Sequence, residues 1–430
     1  LPEQQSKAVR LVIPAAPRHL GVFRRLGPGL ITGAADDDPS GIATYSQVGA
    51  QFGYGLAWTM LFSLPFMIVI QEISGRIGAV TGRGITDNLR RHYHPWIVRS
   101  IVVLLLVANV INLGADLGAS GAALSLLWGG SSRAYTVGFG VLWVLAEVLL
   151  SYAWYAGILK WLTTSLFAYV AVVFTVHVPW RPALLATFVP HLSIGAGQAM
   201  AFVAVLGTTI SPYLFFWQAA LEVEDQKKQK GRPLCMRPRE AKPQFTRIRT
   251  DTIIGMGVSN VVAICIIFAT AATLHAAGTT DIQASSQAAE ALRPIAGEFT
   301  FFVFAAGILG TGLLAVPVLA GSAAYAVSES FGWPEGLDRR LVQAKCFYAA
   351  ITVATMAGVG LNFTSLDPVK ALYWSAVVNG VLAAPVMAAV MLVASDGRIM
   401  GRLTLRWPIR VGGWMATAVM AAASVGFFTL

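Results

Sequence analysis

Residues 33–44 read Gly33-Ala34-Ala35-Asp36-Asp37-Asp38-Pro39-Ser40-Gly41-Ile42-Ala43-Thr44, three consecutive carboxylates and a proline inside an otherwise apolar stretch. No Lys or Arg lies between Arg25 and Arg76 to neutralise them. An ionised carboxylate at membrane depth costs at least about 2.5 kcal/mol, so the triplet needs a partner, a proton or a wet cavity. Proline removes a backbone donor and clashes with the preceding turn, while Gly and Ser beside it ease unwinding. A helix is therefore expected to split into two halves at Asp38-Pro39-Ser40-Gly41. A second interruption, Gly207-Thr208-Thr209-Ile210-Ser211-Pro212, falls five apolar segments later.

The surroundings of that stretch decide the class. Of 430 residues only 12% are charged and 56% are hydrophobic, against about 25% charged in soluble domains. Stretches free of Asp, Glu, Lys and Arg cover 39–71, 161–180, 182–221, 252–280, 299–328, 346–366, 371–395 and 411–430, each about the length that spans a bilayer as a helix. With two more regions that carry isolated charges, the chain divides into eleven segments near 27–52, 54–79, 97–128, 134–152, 158–177, 195–224, 251–276, 297–328, 341–360, 367–394 and 410–429. The expected fold class is an all-α polytopic membrane protein. Matched breaks in the first and sixth segments point to a transporter built on an inverted repeat, with its site at the midplane. The expected organisation is a leader over 1–26, a first five-helix repeat over 27–180, a second over 195–394 containing a basic loop at 225–250, and an additional helix over 410–430.

The net charge of +10 does not imply nucleic acid, because the basic residues sit in short loops rather than in a separate basic domain. They report orientation. With the N-terminus inside, 27 Lys and Arg fall on the cytoplasmic side and only Arg133, Arg181, Arg293 and Lys370 on the other, a strong positive-inside bias. Leu1 to Arg25 is polar and basic without the apolar core of a secretory signal, and reads as a cytoplasmic leader. Cys235, Cys265 and Cys346 make no motif pair. The expected place is a prokaryotic cytoplasmic membrane, with the lipid bilayer and a metal ion as partners, no nucleic acid, no cofactor, and the oligomeric state left open, a monomer included.

Asp38, at the break, is the principal metal candidate, because a cation from solution is the natural compensator and unwinding frees oxygen ligands suited to hard ions. The Ala35 and Thr208 carbonyls and Ser211 are its expected neighbours. Adjacent helical side chains diverge by about 100°, so Asp36 and Asp37 are read as vestibule charges that attract cations. Ser40, Gly41, Thr209, Tyr213 and Asn379 are further candidates around the pathway. Ser and Thr also bond routinely to their own helix backbone, which is the plain alternative for Thr208, Thr209 and Ser211. Asp116 has no local partner and is a candidate ion or proton relay, whereas Glu72 can pair with Arg76 at i, i+4. No zinc-site spacing occurs, and Asn362-Phe363-Thr364 matches a glycosylation acceptor only by chance.

The run from Gly27-Pro28-Gly29 to Asp38-Pro39-Ser40-Gly41-Ile42-Ala43-Thr44 resembles the first helix of Nramp-type divalent metal transporters, whose motif is Asp-Pro-Gly-Asn. Asp116-Leu117, the stretch Gly207 to Pro212, Leu319-Ala320-Gly321, and Asp367-Pro368 with Ala371-Leu372 extend the resemblance over nearly the whole chain. It implies eleven helices in a leucine-transporter-like fold. The chain departs from the family at Gly41, where Asn is usual, at Ser211-Pro212-Tyr213, where Met-Pro-His is usual, and at Ala119, where an acidic residue is usual. Loss of a soft thioether at Ser211 removes a preference for transition metals. What remains resembles Nramp-related magnesium transporters. The expectation is a secondary transporter of a hard divalent cation, Mg²⁺ first and Mn²⁺ second, by alternating access and without the usual proton coupling. Two rivals stand beside it: a carrier of a trivalent metal, chelated metal or organic cation, lined by Phe215, Phe216 and Trp217, and a membrane sensor acting through the basic loop. No nucleophile–base pair or cofactor motif suggests an enzyme.

Overall fold

In lipid, backbone polar groups must be satisfied within the segment, which leaves apolar runs the helix as their solution. A computed structural model describes residues 28–149, 158–159, 162–190, 196–229, 231–280, 285–364 and 368–429, and among these there is no strand. The expected leader, together with Gly27, Lys160, His191 and Asp367, lies outside the described residues.

The helices are α1 (Pro28–Asp36), α2 (Pro39–Phe52), α3 (Trp58–Thr81), α4 (Ile85–His92), α5 (Pro95–Trp128), α6 (Ser132–Leu149), α7 (Phe167–Thr175) and α8 (Trp180–Phe188). They continue as α9 (Ala196–Thr209), α10 (Pro212–Lys228), α11 (Ala241–Thr270), α12 (Ser285–Phe331), α13 (Lys345–Leu361), α14 (Pro368–Ser395), α15 (Gly397–Met400) and α16 (Trp407–Thr429). Among the described residues eight helices are long and apolar enough to cross a membrane, counting α9 and α10 as one crossing. Two shorter apolar helices and the broken pair α1 and α2 account for the remaining expected segments. The chain is an integral, multi-pass membrane protein.

Helices without a hydrophobic drive between them associate where small residues let backbones touch. On α1 a Cβ at Gly33 would come within 2.6 Å of the Gly255 Cα on α11, and one turn earlier the Gly29 N–H donates to Asp251 Oδ2 at 2.7 Å. On α9 a Cβ at Gly207 would lie 2.7 Å from the Gly380 Cα on α14. These two crossings hold the broken helices against their neighbours. As a result α2 sits centrally, in contact with α5, α9, α11, α12 and α14, while α16 packs at the rim on α3 and α14.

Three helical stretches lie where loops were expected. In α4, Ile85 and Leu89 are buried while Asp87 draws Arg90 at 2.6 Å and Arg91 at 3.0 Å, an amphipathic pattern too short and charged to register as a membrane segment. Trp180–Phe188 forms α8, and α12 is helical before its non-helical Gly297. Helix α11 begins at Ala241 rather than near 251, because its early Arg247 reaches the buried Glu222 of α10 in an ion pair.

Candidate metal centre at the helix breaks

Both interruptions use one backbone device. At the first, α1 ends at Asp36 and α2 starts at Pro39, with Asp38 extended between them (φ −71, ψ 168) as the N-cap. At the second, α9 ends at Thr209 and α10 starts at Pro212, with Ser211 extended (φ −77, ψ 126). Proline is well placed as the first helical residue, since its missing N–H would have had no partner there.

The caps then diverge. Asp38 Oδ1 accepts the Gly41 N–H at 2.7 Å and the Ser40 hydroxyl at 2.7 Å. The Tyr213 hydroxyl, from the first turn of α10, lies 2.8 Å from the Ala35 carbonyl oxygen and 3.2 Å from Asp38 Oδ2. It spans the two breaks. Ser211 instead turns its hydroxyl back to the carbonyls of Gly207 and Thr208, each at 2.9 Å. Thr209 does the same to the Val205 carbonyl at 2.9 Å. Thr208 is the exception: its hydroxyl is buried with no protein partner and points at Gly41, where an added Cβ would meet it at 2.9 Å.

Asp38, Ser40, Gly41, Ala35, Tyr213 and Thr208 are therefore brought together, whereas the Ser211 and Thr209 hydroxyls follow the backbone-bonding alternative. The Ala35 and Thr208 carbonyls each already accept a hydroxyl. Asn379 is buried on α14 beside Gly380, at the crossing with α9. Asp116, on α5, has neither oxygen in a completed hydrogen bond, yet its carboxylate faces Asp38 and the Ser40 N–H.

The reading of Asp36 and Asp37 as vestibule charges is corrected. Asp36 is 1% exposed and Asp37 0%, so neither borders open water. The first helix runs through the centre of the bundle, and the residue just before its break is consequently at its deepest. Asp36 Oδ2 accepts the Ser259 hydroxyl of α11 at 2.9 Å. Nor do the three carboxylates share one point: among the described residues no three His, Cys, Asp or Glu side chains are placed to hold one metal ion together. Four buried carboxylates, Asp36, Asp37, Asp38 and Asp116, thus sit in one region, and among the described residues none takes part in a salt bridge. Carboxylates that deep need a proton or a cation to offset their charge.

One residue completes the picture without a signal in the sequence. Ser259 reaches Asp36 only through helix packing. Other expectations resolve simply. Glu72 pairs with Arg76 at 2.5 Å. The Asn362 amide donates to the Gly114 carbonyl at 2.8 Å, so it is a structural link between α13 and α5. Phe215, Phe216 and Trp217 are buried, with Trp217 edge-on to Tyr325 at 6.3 Å, and serve as packing between α10 and α12. A cavity of about 150 Å³ opens away from the breaks, beside the far end of α10, among Glu222, Asp225, Arg237 and Arg247.

Comparison with known proteins places this geometry in context. Residues 29–430 match the family model described as natural resistance-associated macrophage protein-like, Nramp. A divalent metal cation transporter MntH from Deinococcus radiodurans is 26% identical over 92% of this chain and 87% of its own length. The MntH of Acidiphilium cryptum is 27% identical over 94% of this chain and 90% of its own. Among solved structures, a manganese transporter of Eremococcus coleocola in complex with an aromatic bis-isothiourea substituted compound superposes with a TM-score of 0.75 at 16% identity, over 94% of this chain and 85% of that one. Mhp1, a nucleobase-cation-symport-1 family transporter, superposes with a TM-score of 0.62 at 14% identity, over 94% and 92% of the two chains. Both superpositions show that the chain shares the overall helical fold of these transporters.

Proposed function

We propose that this chain, which belongs to the natural resistance-associated macrophage protein family, carries a divalent metal cation across a membrane by alternating access around its two helix breaks, with the N-terminus on the cytoplasmic side. One observation carries the reading: a buried carboxylate, Asp38, caps one broken helix and meets the Tyr213 hydroxyl of the other. Its curated relatives, named as divalent metal cation transporters, support the substrate class.

In this reading Asp38 is the principal charge on the ion. Asp116 faces it from α5 and adds a second negative field, and the Thr208 hydroxyl supplies a neutral oxygen. Tyr213 competes with the ion for the Ala35 carbonyl and for Asp38 Oδ2, so arrival of a cation would displace its hydroxyl and loosen the link between the breaks. Every donor named is an oxygen. Oxygen donors suit Mg²⁺ and Mn²⁺ and lack the softness that favours later transition metals, and Mg²⁺ is the ion we favour. A reluctantly dehydrated ion needs few direct ligands, in keeping with Gly41 and a Ser211 whose hydroxyl is spent on its own helix. No imidazole faces the breaks among the described residues, which favours transport without the histidine-linked proton step implied by the family motif. The aromatic run that would have favoured an organic cation is taken up by packing.

The test is uptake into proteoliposomes. Purified protein should accumulate Mg²⁺ and Mn²⁺ down an imposed gradient, and Asp38→Ala should lower both fluxes by roughly ten- to a hundredfold. Unchanged flux in that variant would remove Asp38 from the site.

A further inference from the structure

On the topology proposed above, α1 is the cytoplasmic half of the broken first helix, and a triangle of polar contacts holds it to α10 and α11. Gln218 and Glu222 stand one turn apart on α10, and Arg247 and Asp251 one turn apart on α11, so each helix offers two side chains on one face. Asp251 Oδ2 accepts the Gly29 N–H of α1 at 2.7 Å, and Gln218 Oε1 lies 2.7 Å from the Thr32 hydroxyl of α1. The third side joins α10 to α11: Glu222, 2% exposed, is ion-paired with Arg247. Gln218 Nε2 stands 3.5 Å from Glu222 Oε1, so the contact to α1 and the ion pair adjoin.

The cavity of about 150 Å³ at the far end of α10 is lined by this same pair, Glu222 and Arg247, and by Asp225. Along α10 from the pair come Gln218 and then, about 14 Å from Glu222, Tyr213 at the two breaks. The pair therefore stands between the cavity and the Asp38 region. A buried ion pair is a weak way to strengthen a fold, since apolar side chains of similar size would hold the crossing without desolvating two charges. Its distinctive property is that it can be exchanged: a divalent cation can replace the guanidinium on the carboxylate. Gly33 and Gly255, where α1 crosses α11, carry no side chains to interlock there and oppose a swing of α1 about its break.

We propose that the Glu222–Arg247 pair is the cytoplasmic gate of the ion path, with Gln218 and Asp251 as the positioning residues that pass its state to α1. When formed, the pair keeps α10 and α11 together and α1 seated on both. When parted, it frees α1 to swing about the first break, and Glu222 becomes the carboxylate that takes a divalent cation leaving Asp38 on its way to the cavity. The inference rests on the transport reading above and adds a gate and an exit carboxylate to it. The cation favours the open arrangement because only there is Glu222 released from Arg247 to bind it.

Cysteine accessibility tests this. Leu214, 0% exposed and one turn from Gln218 toward the breaks, is replaced by cysteine in a chain whose Cys235, Cys265 and Cys346 are changed to serine. Inside-out membrane vesicles are treated with a positively charged, membrane-impermeant methanethiosulfonate. We expect slow labelling with the pair intact and labelling faster by about tenfold or more in Arg247→Gln, with Arg247→Lys bringing the rate back toward the parent's. Asp251→Asn should raise the rate several-fold and serves as the test should Arg247→Gln not fold. Labelling at the parental rate in Arg247→Gln, or in Asp251→Asn in its place, would overturn the gate. Mn²⁺ uptake into proteoliposomes checks the exit carboxylate: Glu222→Gln should lower the maximal rate several-fold and shift the half-saturating concentration by less than about twofold. An unchanged maximal rate would overturn that role. A parent chain that takes up no ion would remove the transport reading instead, and the labelling rates would still decide the gate.

Discussion

The two helix breaks share a backbone and differ in everything their side chains do. Each inserts an extended capping residue before a proline, yet the first cap is an aspartate holding three donors and the second a serine folded onto its own helix. The first break concentrates negative charge. The second is electrically quiet and contributes a phenol and one free hydroxyl. Breaking a helix and building an ion site are thus separable tasks: proline and glycine perform the first at both places, and only the carboxylates, with what packs on them, perform the second.

The contrast can be broken most directly at Asp38. Asp38→Asn keeps a capping side chain and removes the charge, so uptake should fall by roughly ten- to a hundredfold while thermal stability stays close to the parent's. Asp38→Ala should lose uptake equally and also lose about 1 kcal/mol of cap stability. Equal flux in Asp38→Asn and the parent would mean that the first break is a structural cap like the second.

At the second break the largest expected effect is structural. Gly207→Val would drive a side chain into the Gly380 backbone and should destabilise the fold by about 1–3 kcal/mol, read as a lower unfolding temperature in detergent. Tyr213→Phe deletes the hydroxyl between Ala35 and Asp38. Its loss should change apparent ion affinity by about two- to tenfold, in the direction of tighter binding if the phenol competes with the ion. Ser211→Ala should move transport by less than about twofold, since its hydroxyl is spent on the Gly207 and Thr208 carbonyls. A large loss in that variant would place the second break in the site after all.

A last, smaller effect lies outside both breaks. Burial, with the Asp87 and Glu224 carboxylates nearby and Lys227 opposing them, pushes Glu335 up to about 7. A carboxylate raised in the folded state is stabilising when protonated, so stability should decline as pH rises from about 5 to 7. Glu335→Gln should flatten that slope in pH-dependent melting curves without altering the contrast between the breaks.

Much of this was legible in the sequence, for physical reasons. Uninterrupted apolar runs mark membrane helices because lipid admits little else, and proline beside glycine and serine marks the breaks because the chemistry of the lost N–H is local. Depth is not local. Asp36 and Asp37 look like mouth residues until the first helix is seen to pass through the middle of the bundle. Ser259 carries no mark of its role, since only the packing of α11 against α1 brings its hydroxyl to Asp36. The α4 helix and the early start of α11 were hidden because charged, amphipathic turns resemble loops when read for hydrophobicity alone. The choice between ligand and backbone bond for Ser211 and Thr209 rested on side-chain rotation, which sequence does not encode.

Anomalous diffraction from crystals soaked in Mn²⁺ decides whether a divalent cation meets Asp38 between the breaks. We expect an anomalous peak within about 2.5 Å of an Asp38 carboxylate oxygen, with the Tyr213 hydroxyl moved off Ala35. Bound Mn²⁺ found only away from both breaks, with Tyr213 still joined to Ala35 and Asp38, would contradict it.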